Sequence, residues 1–113
     1  MHAGYEGGMQ LLKRKQRPTA IFAPSLAMGI GILRAAHELG VDVPTELSAI
    51  ALHDSEIADY LAPPLTTITM PAEEMGRQAA ALAVELIEGG KPRHVIVEGE
   101  PTLVLRATTA APV

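Results

Sequence analysis

Apolar residues in the first half of the chain form two kinds of pattern. Residues 19–23 and 47–52 are nearly unbroken apolar runs of strand length, which are typical of strands buried in a sheet, and we expect the first to be covered on both faces. Residues 26–39 instead carry apolar side chains at three- and four-residue steps, and Gly40 follows where a left-handed helix cap is favoured. The order strand, helix, strand predicts a βαβ unit with parallel strands.

The second half of the chain continues this alternation of strands and helices. Its predicted elements are one helical turn at residues 57–61, a β-branched strand at 65–69, a helix from Pro71 to Glu88, and short strands at 95–97 and 103–105. Residues 107–113 show no periodicity, and we expect a loose tail there. The whole pattern predicts the α/β class, as a parallel-sheet βαβ sandwich.

A short helix is predicted ahead of the βαβ unit, at Met9, Leu11 and Leu12, and it ends in the basic residues 13–17. The formal net charge of the chain is −4, and it has two Tyr, one Phe and no Trp on which nucleic-acid bases could stack. We therefore interpret the basic run as a solvated helix end and not as a phosphate-binding patch. The chain is not expected to hold DNA alone.

Size and composition fit one globular domain with a small core, because the chain has 113 residues, of which 48% are hydrophobic and 19% charged. It has no cysteine, which excludes disulfides and thiolate metal sites and suits a reducing cytoplasm. No apolar stretch approaches the ~18 residues of a membrane span. We interpret the chain as a soluble cytoplasmic protein that does not bind membranes.

Polar residues follow both strands of the βαβ unit at the point where each strand ends. Ser25 comes after the first strand, and His53, Asp54 and Ser55 come after the second. Ligands of open parallel sheets bind beyond the carboxyl ends of the strands, so Ser25, His53 and Asp54 are predicted to bind a small ligand. Asp54 has a second explanation, in which it caps the helical turn that starts near Ser55, and both explanations stay open.

We do not expect these residues to catalyse a reaction. The three residues after the second strand are neighbours in sequence and rarely converge on one substrate atom, and no Gly-x-Ser-x-Gly elbow surrounds Ser25 or Ser55. The histidines lack the paired spacing of a metal site. Gly29 and Gly31 fall inside a helix, where they favour close packing over phosphate binding. No catalytic residue, metal or cofactor is therefore expected.

Short motifs recur along nearly the whole chain. They are Arg17-Pro18-Thr19-Ala20-Ile21-Phe22-Ala23, Met28, Gly31, Ala35-Ala36-His37-Glu38-Leu39-Gly40-Val41, Val43-Pro44, Leu47-Ser48, Tyr60-Leu61, Pro63-Pro64-Leu65-Thr66-Thr67-Ile68, Met70-Pro71, Glu74-Met75-Gly76-Arg77, Ala79-Ala80, Leu103 and Arg106. Together they resemble the C-terminal part of LacI/GalR-type bacterial transcription regulators. The Pro-Pro-Leu-Thr-Thr run followed by Glu-Met-Gly-Arg is highly specific in combination.

The resemblance implies a partial periplasmic-binding-protein type I-like domain. In that family a small metabolite closes a cleft between two lobes and shifts helix-turn-helix headpieces on an operator. Residues 1–113 would supply the C-terminal part of this effector-sensing and dimerisation domain, with most of one lobe and a helix of the other, from Pro71 to Glu88. The N-terminal lobe and the headpiece would lie outside these residues, so operator DNA would be bound only through that headpiece.

A homodimer surface is also implied by the resemblance. It would include Leu26 and Ile30 on the helix that begins near Leu26, together with Tyr60, Pro63 and Pro64. A runner-up interpretation with the same fold is a periplasmic solute-binding protein for sugar uptake. The first ~60 residues of the gene would decide between the two, because a regulator needs a helix-turn-helix and a transport protein needs an export signal.

Two positions depart from the family where it usually contacts its ligand. Ser25-Leu26 stands where an Asn-Asp pair is common, and Ala51-Leu52-His53-Asp54 stands where the family has Gly, an aromatic residue and two Asp. The first Asp of that run often accepts hydrogen bonds from sugar hydroxyls. His53 takes its place, and an imidazole can donate as well as accept or carry a positive charge. Among sugars, sugar acids and aromatic acids, our hypothesis therefore favours an acidic or aromatic effector over a neutral sugar.

Overall fold

The computed structural model describes residues 1–112, which belong to two compact units. The first unit contains Met1–Thr69 and the residues from Thr102 onward, and the second contains Met70–Pro101. The elements in chain order are α1 (His2–Leu12), β1 (Ala20–Ala23), α2 (Leu26–Glu38), β2 (Ser48–Leu52), a 3-10 helix (Glu56–Tyr60), β3 (Thr66–Thr69), α3 (Ala72–Ile87) and β4 (Thr102–Val104). Of these, α3 belongs to the second unit and the others to the first.

The first unit is built around one mixed sheet with the strand order β1-β2-β3-β4. Strands β1 and β2 are parallel with Ala23 opposite Ala51, and β2 and β3 are parallel with Ala51 opposite Thr67. Strand β4 runs antiparallel to β3, with Val104 opposite Thr67. The predicted α/β fold with a parallel βαβ unit is therefore confirmed.

Helix α2 packs against the sheet through small and aliphatic side chains, since the chain has few aromatic residues to fill a core. The buried hydrophobic residues are Leu12, Ala23, Ile32, Ala35, Ala36, Val41, Leu47, Ala49, Ala51, Ala58 and Leu65. Alanine on both the helix and the strands lets their backbones approach closely. Gly40, with a φ of 64°, follows the helix as the predicted left-handed residue.

Glycines allow α1 to lie directly against α2. A Cβ atom on Gly31 would collide with the backbone of Met1 and Tyr5, and one on Gly4 would collide with the backbone of Met28. Gly29 lies on the side of α2 that faces the core, where an added Cβ would meet the side chains of Ala51 and Leu65. The interpretation of the α2 glycines as packing residues is confirmed, and α1 extends back to His2, further than the short helix predicted from Met9, Leu11 and Leu12.

Strand β1 lies at the edge of the sheet and buries only one of its faces. Ala23 is 1% exposed, whereas Phe22 is 56% exposed. The prediction that residues 19–23 are covered on both faces was wrong, because an unbroken apolar run does not reveal whether a second layer is present. Leu103, which is 49% exposed, lies on the same face as Phe22 by strand register. This face is apolar and open to solvent.

The segment after β4 is hydrogen-bonded to β2 and β3 through Thr108 and is not a loose tail. The backbone N–H of Ala49 donates to the Thr108 carbonyl at 2.8 Å, and the Thr108 hydroxyl donates to the Ala49 carbonyl at 2.7 Å. Thr108 is fully buried and also accepts from the Thr66 N–H. The prediction of a loose tail was therefore wrong at Thr108, because threonine hydroxyls supply contacts that hydrophobic periodicity does not show. The last residue of the predicted tail, Val113, lies outside the described residues.

The second unit consists of α3 and an irregular segment. Pro71 occupies the N-cap position and Gly89, with a φ of 91°, follows the C-terminus, so the predicted helix from Pro71 to Glu88 is confirmed to within a residue or so at each end. The prediction of a strand at residues 95–97 was wrong. This segment is irregular, and Ile96 is 94% exposed, so its apolar residues do not pack against a sheet as the pattern suggested. The strand predicted at 103–105 is present as β4, one residue earlier.

Candidate ligand-binding site

The polar residues predicted to bind a ligand follow adjacent strands at the same edge of the sheet. Strand β1 ends at Ala23 and is followed by Ser25, and β2 ends at Leu52 and is followed by His53 and Asp54. Because the two strands are parallel, with Ala23 opposite Ala51, both polar segments leave the carboxyl edge. This arrangement is the one that the sequence predicted. Ligand contact by these residues stays a prediction.

Ser25 has a structural role at this edge. It is the N-cap of α2 with extended backbone, and its hydroxyl accepts a hydrogen bond from the Met28 N–H at 3.2 Å. The contact uses an acceptor position of the oxygen and leaves its O–H free to donate. Ser25 can therefore cap the helix and still donate to a ligand beyond the strand ends.

His53 adopts a backbone conformation that is unusual for a residue with a side chain. Its φ is 69°, in the left-handed region, and its N–H donates to the Ile68 carbonyl at 2.9 Å. Holding a non-glycine residue there costs about 1–2 kcal/mol. The imidazole is exposed at the carboxyl edge. Strain of this kind often occurs at binding sites, which supports the choice of His53 as a ligand contact.

Asp54 is held from inside the protein. Its Oδ1 accepts from the Thr67 hydroxyl at 2.5 Å and lies 2.8 Å from Nη1 of Arg106. The hydrogen bond from Arg106, and after it the one from Thr67, holds the pKa of the Asp54 carboxyl below its ordinary value. The carboxylate therefore stays ionised at neutral pH, and the side chain is 28% exposed, so part of it remains accessible to a hydrogen-bond donor.

The alternative explanation for Asp54, as a cap of the following helical turn, was wrong. The helical turn that was predicted at 57–61 is present as a 3-10 helix at Glu56–Tyr60, but its N-cap is Ser55 and no side chain caps it. The Asp54 carboxylate instead accepts hydrogen bonds from Thr67 and Arg106.

Arg106 is the residue of this region that the sequence prediction of site residues did not include. Its side chain is 10% exposed, and its Nε donates to Asp59 at 2.5 Å. Its Nη1 donates to the Leu65 carbonyl and to the Thr67 hydroxyl, both at 2.9 Å. The contacts with Asp54 and then Asp59 raise the pKa of the guanidinium. A cation directly after the apolar run at residues 103–105 was a sequence feature that could have indicated a buried ion pair.

Neither a metal cluster nor a membrane-spanning helix occurs among the described residues. Within residues 1–112, no three His, Asp or Glu side chains come together in the way that a metal ion requires. None of the helices described is long and apolar enough to cross a membrane. The polar edge formed by Ser25, His53 and Asp54 can instead donate and accept hydrogen bonds around a small ligand.

Comparisons with known proteins give the family of the chain. Residues 2–109 match the periplasmic binding protein-like domain. The chain is 37% identical over 108 residues to the HTH-type transcriptional repressor PurR of Pectobacterium carotovorum, covering 96% of this chain and 32% of that protein. It is 36% identical over 109 residues to the ribose operon repressor of Haemophilus influenzae, covering 93% of this chain and 33% of the repressor. The chain thus spans about a third of the length of these relatives.

A solved structure agrees with this assignment. A LacI family transcriptional regulator from Bifidobacterium animalis superimposes with a TM-score of 0.77 at 36% sequence identity, covering 95% of this chain and 39% of the regulator. The resemblance seen in the sequence is therefore confirmed over most of the chain, for sequence and fold alike. The chain belongs to the periplasmic binding protein-like domain family, and its relatives in that family are LacI-type transcriptional regulators.

Proposed function

We propose that this chain is the effector-binding and dimerisation part of a LacI/GalR-type transcriptional repressor that responds to a small metabolite in the cytoplasm. The observation that carries the proposal is the polar carboxyl edge of two adjacent parallel strands, in a chain whose relatives are repressors. The chain would contribute binding and no catalysis. Operator DNA would be contacted through a helix-turn-helix headpiece outside these residues, since the described basic run at residues 13–17 is a solvated helix end.

The binding site would be formed by Ser25, His53 and Asp54. Asp54 supplies a carboxylate that Arg106 and Thr67 hold in place, which fixes the direction in which its remaining lone pairs accept. His53 supplies an exposed imidazole and Ser25 a hydroxyl. One acceptor and two groups that can donate fit a carboxylate ligand, because the donors can bind its carboxylate and the acceptor can bind a hydroxyl where the ligand has one. A sugar acid or an aromatic acid is favoured on this basis over a neutral sugar.

Titration of the protein with D-ribose, D-gluconate and benzoate tests the effector class. The expected result is tighter binding of one of the two carboxylates than of D-ribose, and a loss of that preference in His53→Asp, because the substitution places two carboxylates at the strand end. His94→Asp is the matched control, since His94 is an exposed histidine of the second unit and lines neither of the grooves assigned to dimerisation below. An unchanged preference in His53→Asp would refute the assignment of His53.

Dimerisation is assigned to the outer side of α2 and the segment that follows the 3-10 helix. Ile30 and Leu61 line a groove of about 280 Å³ between these elements, and Pro63 lines a neighbouring groove of about 380 Å³. Tyr60, next to them, is 77% exposed. Leu26 and Pro64 are partly buried and complete the predicted set. Polar side chains, among them Arg34, His37 and Asp42, line the same grooves. Grooves of mixed polarity beside an exposed aromatic ring are suited to a second copy of the same surface.

Sedimentation of Ile30→Glu and Tyr60→Glu tests this surface. Both substitutions place a charge on the proposed interface, and we expect them to shift the protein from dimer to monomer. Ile87→Glu is the control, because Ile87 is 85% exposed on α3 in the second unit and belongs to no predicted interface. Equal sedimentation of all three variants and the parent would overturn the assignment.

A further inference from the structure

Arg106 connects two neighbouring segments that carry different proposed roles. Its Nη1 contacts Asp54 in the loop after β2, where the ligand is proposed to bind. Its Nε donates to Asp59 in the 3-10 helix, next to Tyr60 of the proposed dimer surface. One guanidinium therefore contacts both the loop at residues 53–55, which we call the ligand loop, and the segment at residues 59–64, which we call the dimer segment.

The two carboxylates share this cation unequally. The Asp54 side chain is 28% exposed and that of Asp59 is 57% exposed, while Arg106 is 10% exposed. A guanidinium that is so little exposed to solvent needs neighbouring carboxylates, because an unpaired buried charge is strongly unfavourable. If the Asp54 carboxylate is weakened as a partner, the guanidinium depends more on Asp59. The two contacts are therefore not independent.

The 3-10 helix that carries Asp59 is anchored to the core through Ala58. Ala58 is fully buried, its N–H donates to the Ser55 carbonyl at 2.9 Å, and its carbonyl accepts from the Leu65 N–H at 3.0 Å. The Leu65 carbonyl in turn accepts from Arg106. A change in the position of the guanidinium is thus transmitted to a packed element and not absorbed by a free loop.

We propose that Arg106 is a positioning residue that couples the ligand loop to the dimer segment. The coupling rests on the function proposed above. A ligand group that donates a hydrogen bond to Asp54 competes with Arg106 for the carboxylate, so the guanidinium shifts toward Asp59 and moves the helix that carries Tyr60. Because coupling between two sites acts in both directions, contacts that fix Asp59 at the dimer surface change the affinity of the ligand loop for the effector.

Amide NMR spectra without ligand test the coupling separately from the proposed function. Asp54→Asn removes the charge and keeps the shape, and we expect it to shift the amide resonances of Asp59 and Tyr60. Asp59→Asn should shift those of His53 and Asp54 in return. Glu46→Gln is the matched control, since Glu46 pairs with Arg17 elsewhere in the same unit and should leave residues 53–61 unchanged.

Arg106→Lys separates the coupling from mere closeness in sequence, because lysine keeps the charge and loses the planar fork that bridges two carboxylates. In this background the effect of Asp54→Asn on Tyr60 should be lost. If Arg106→Lys is unfolded, Asp59→Asn replaces it as the background with the same expectation. A Tyr60 shift of equal size in the parent and in the altered background, or no shift in the parent, would overturn the proposal. Since no ligand is added, a failed titration with D-gluconate or benzoate leaves this result unaffected.

Discussion

Replacing Arg106 with methionine tests how much the buried guanidinium stabilises the first unit. Methionine keeps most of the buried aliphatic length and removes every charged contact. The buried Leu65 carbonyl and the Asp54 carboxylate, which is 28% exposed, would each lose a bond that water replaces only in part, whereas the buried Thr67 hydroxyl keeps its bond to Asp54. Hydrogen bonds to charged groups contribute about 1.5–3 kcal/mol each, so losing these two is expected to cost about 3–6 kcal/mol. Asp59 is 57% exposed and becomes hydrated, so it adds little.

Urea unfolding followed by circular dichroism measures this loss, as a lower midpoint at an unchanged slope. Small domains have unfolding free energies of about 5–15 kcal/mol, so Arg106→Met should remove a large part of the total. Arg77→Met is the matched control, because Arg77 pairs with Glu74 on a helix surface and its side chain is 67% exposed. The control should leave the midpoint unchanged. A loss below about 1 kcal/mol in Arg106→Met would refute the assignment of a buried, paired cation.

Three further predictions follow from the same contacts. The pKa of Asp54 is lowered in the folded state, so its carboxylate stabilises the fold fully above the ordinary value of about 3.9 and loses this effect as pH falls through the folded-state pKa. The difference in unfolding free energy between the parent and Asp54→Asn should therefore be constant from neutral pH to about pH 5 and shrink below about pH 4. A difference that stays constant below about pH 4 would contradict a stabilising Asp54 carboxylate. In the same urea assay, Gly31→Ala should lower the free energy of unfolding by about 1–3 kcal/mol, because the new Cβ meets the α1 backbone. Gly7→Ala in α1, where no atom lies near the new Cβ, should raise the free energy of unfolding by up to about 1 kcal/mol. His53→Gly should retain or slightly raise the melting temperature, because glycine accepts the φ of 69° without strain. The same substitution should abolish carboxylate binding. Binding equal to that of the parent would exclude the imidazole as a ligand contact.

Most of the fold could be predicted from the sequence, because its elements have distinct hydrophobic periods and clear ends. The run at 47–52, the helical spacing at 26–39 and Gly40 together placed β2, α2 and the helix cap. The failures occurred where a polar contact or the lack of a second layer decides the structure. Phe22 belongs to an apolar run and is nevertheless exposed, and Thr108 lies in a segment without periodicity and is nevertheless buried.

The candidate site could be predicted only in part. The rule that ligands bind beyond the carboxyl ends of parallel strands located Ser25, His53 and Asp54 at one edge. The rule could not show which groups hold these residues from inside. Arg106 is 52 residues away from Asp54 along the chain, and its contact arises because β4 returns antiparallel beside β3. Long-range ion pairs of this kind depend on the sheet order, which local patterns do not give.

Thermal shift of the protein with a panel of D-ribose, D-gluconate and benzoate tests the central claim most directly. A ligand that binds only the folded state at about 100 times its Kd stabilises it by about 2.7 kcal/mol, which raises the melting temperature of a domain of this size by roughly 10 °C or more. The account predicts such a rise with one of the acids, and its loss in both His53→Gly and Asp54→Asn. A rise of equal size in these variants, or a flat panel, would contradict a ligand site at the carboxyl edge of β1 and β2.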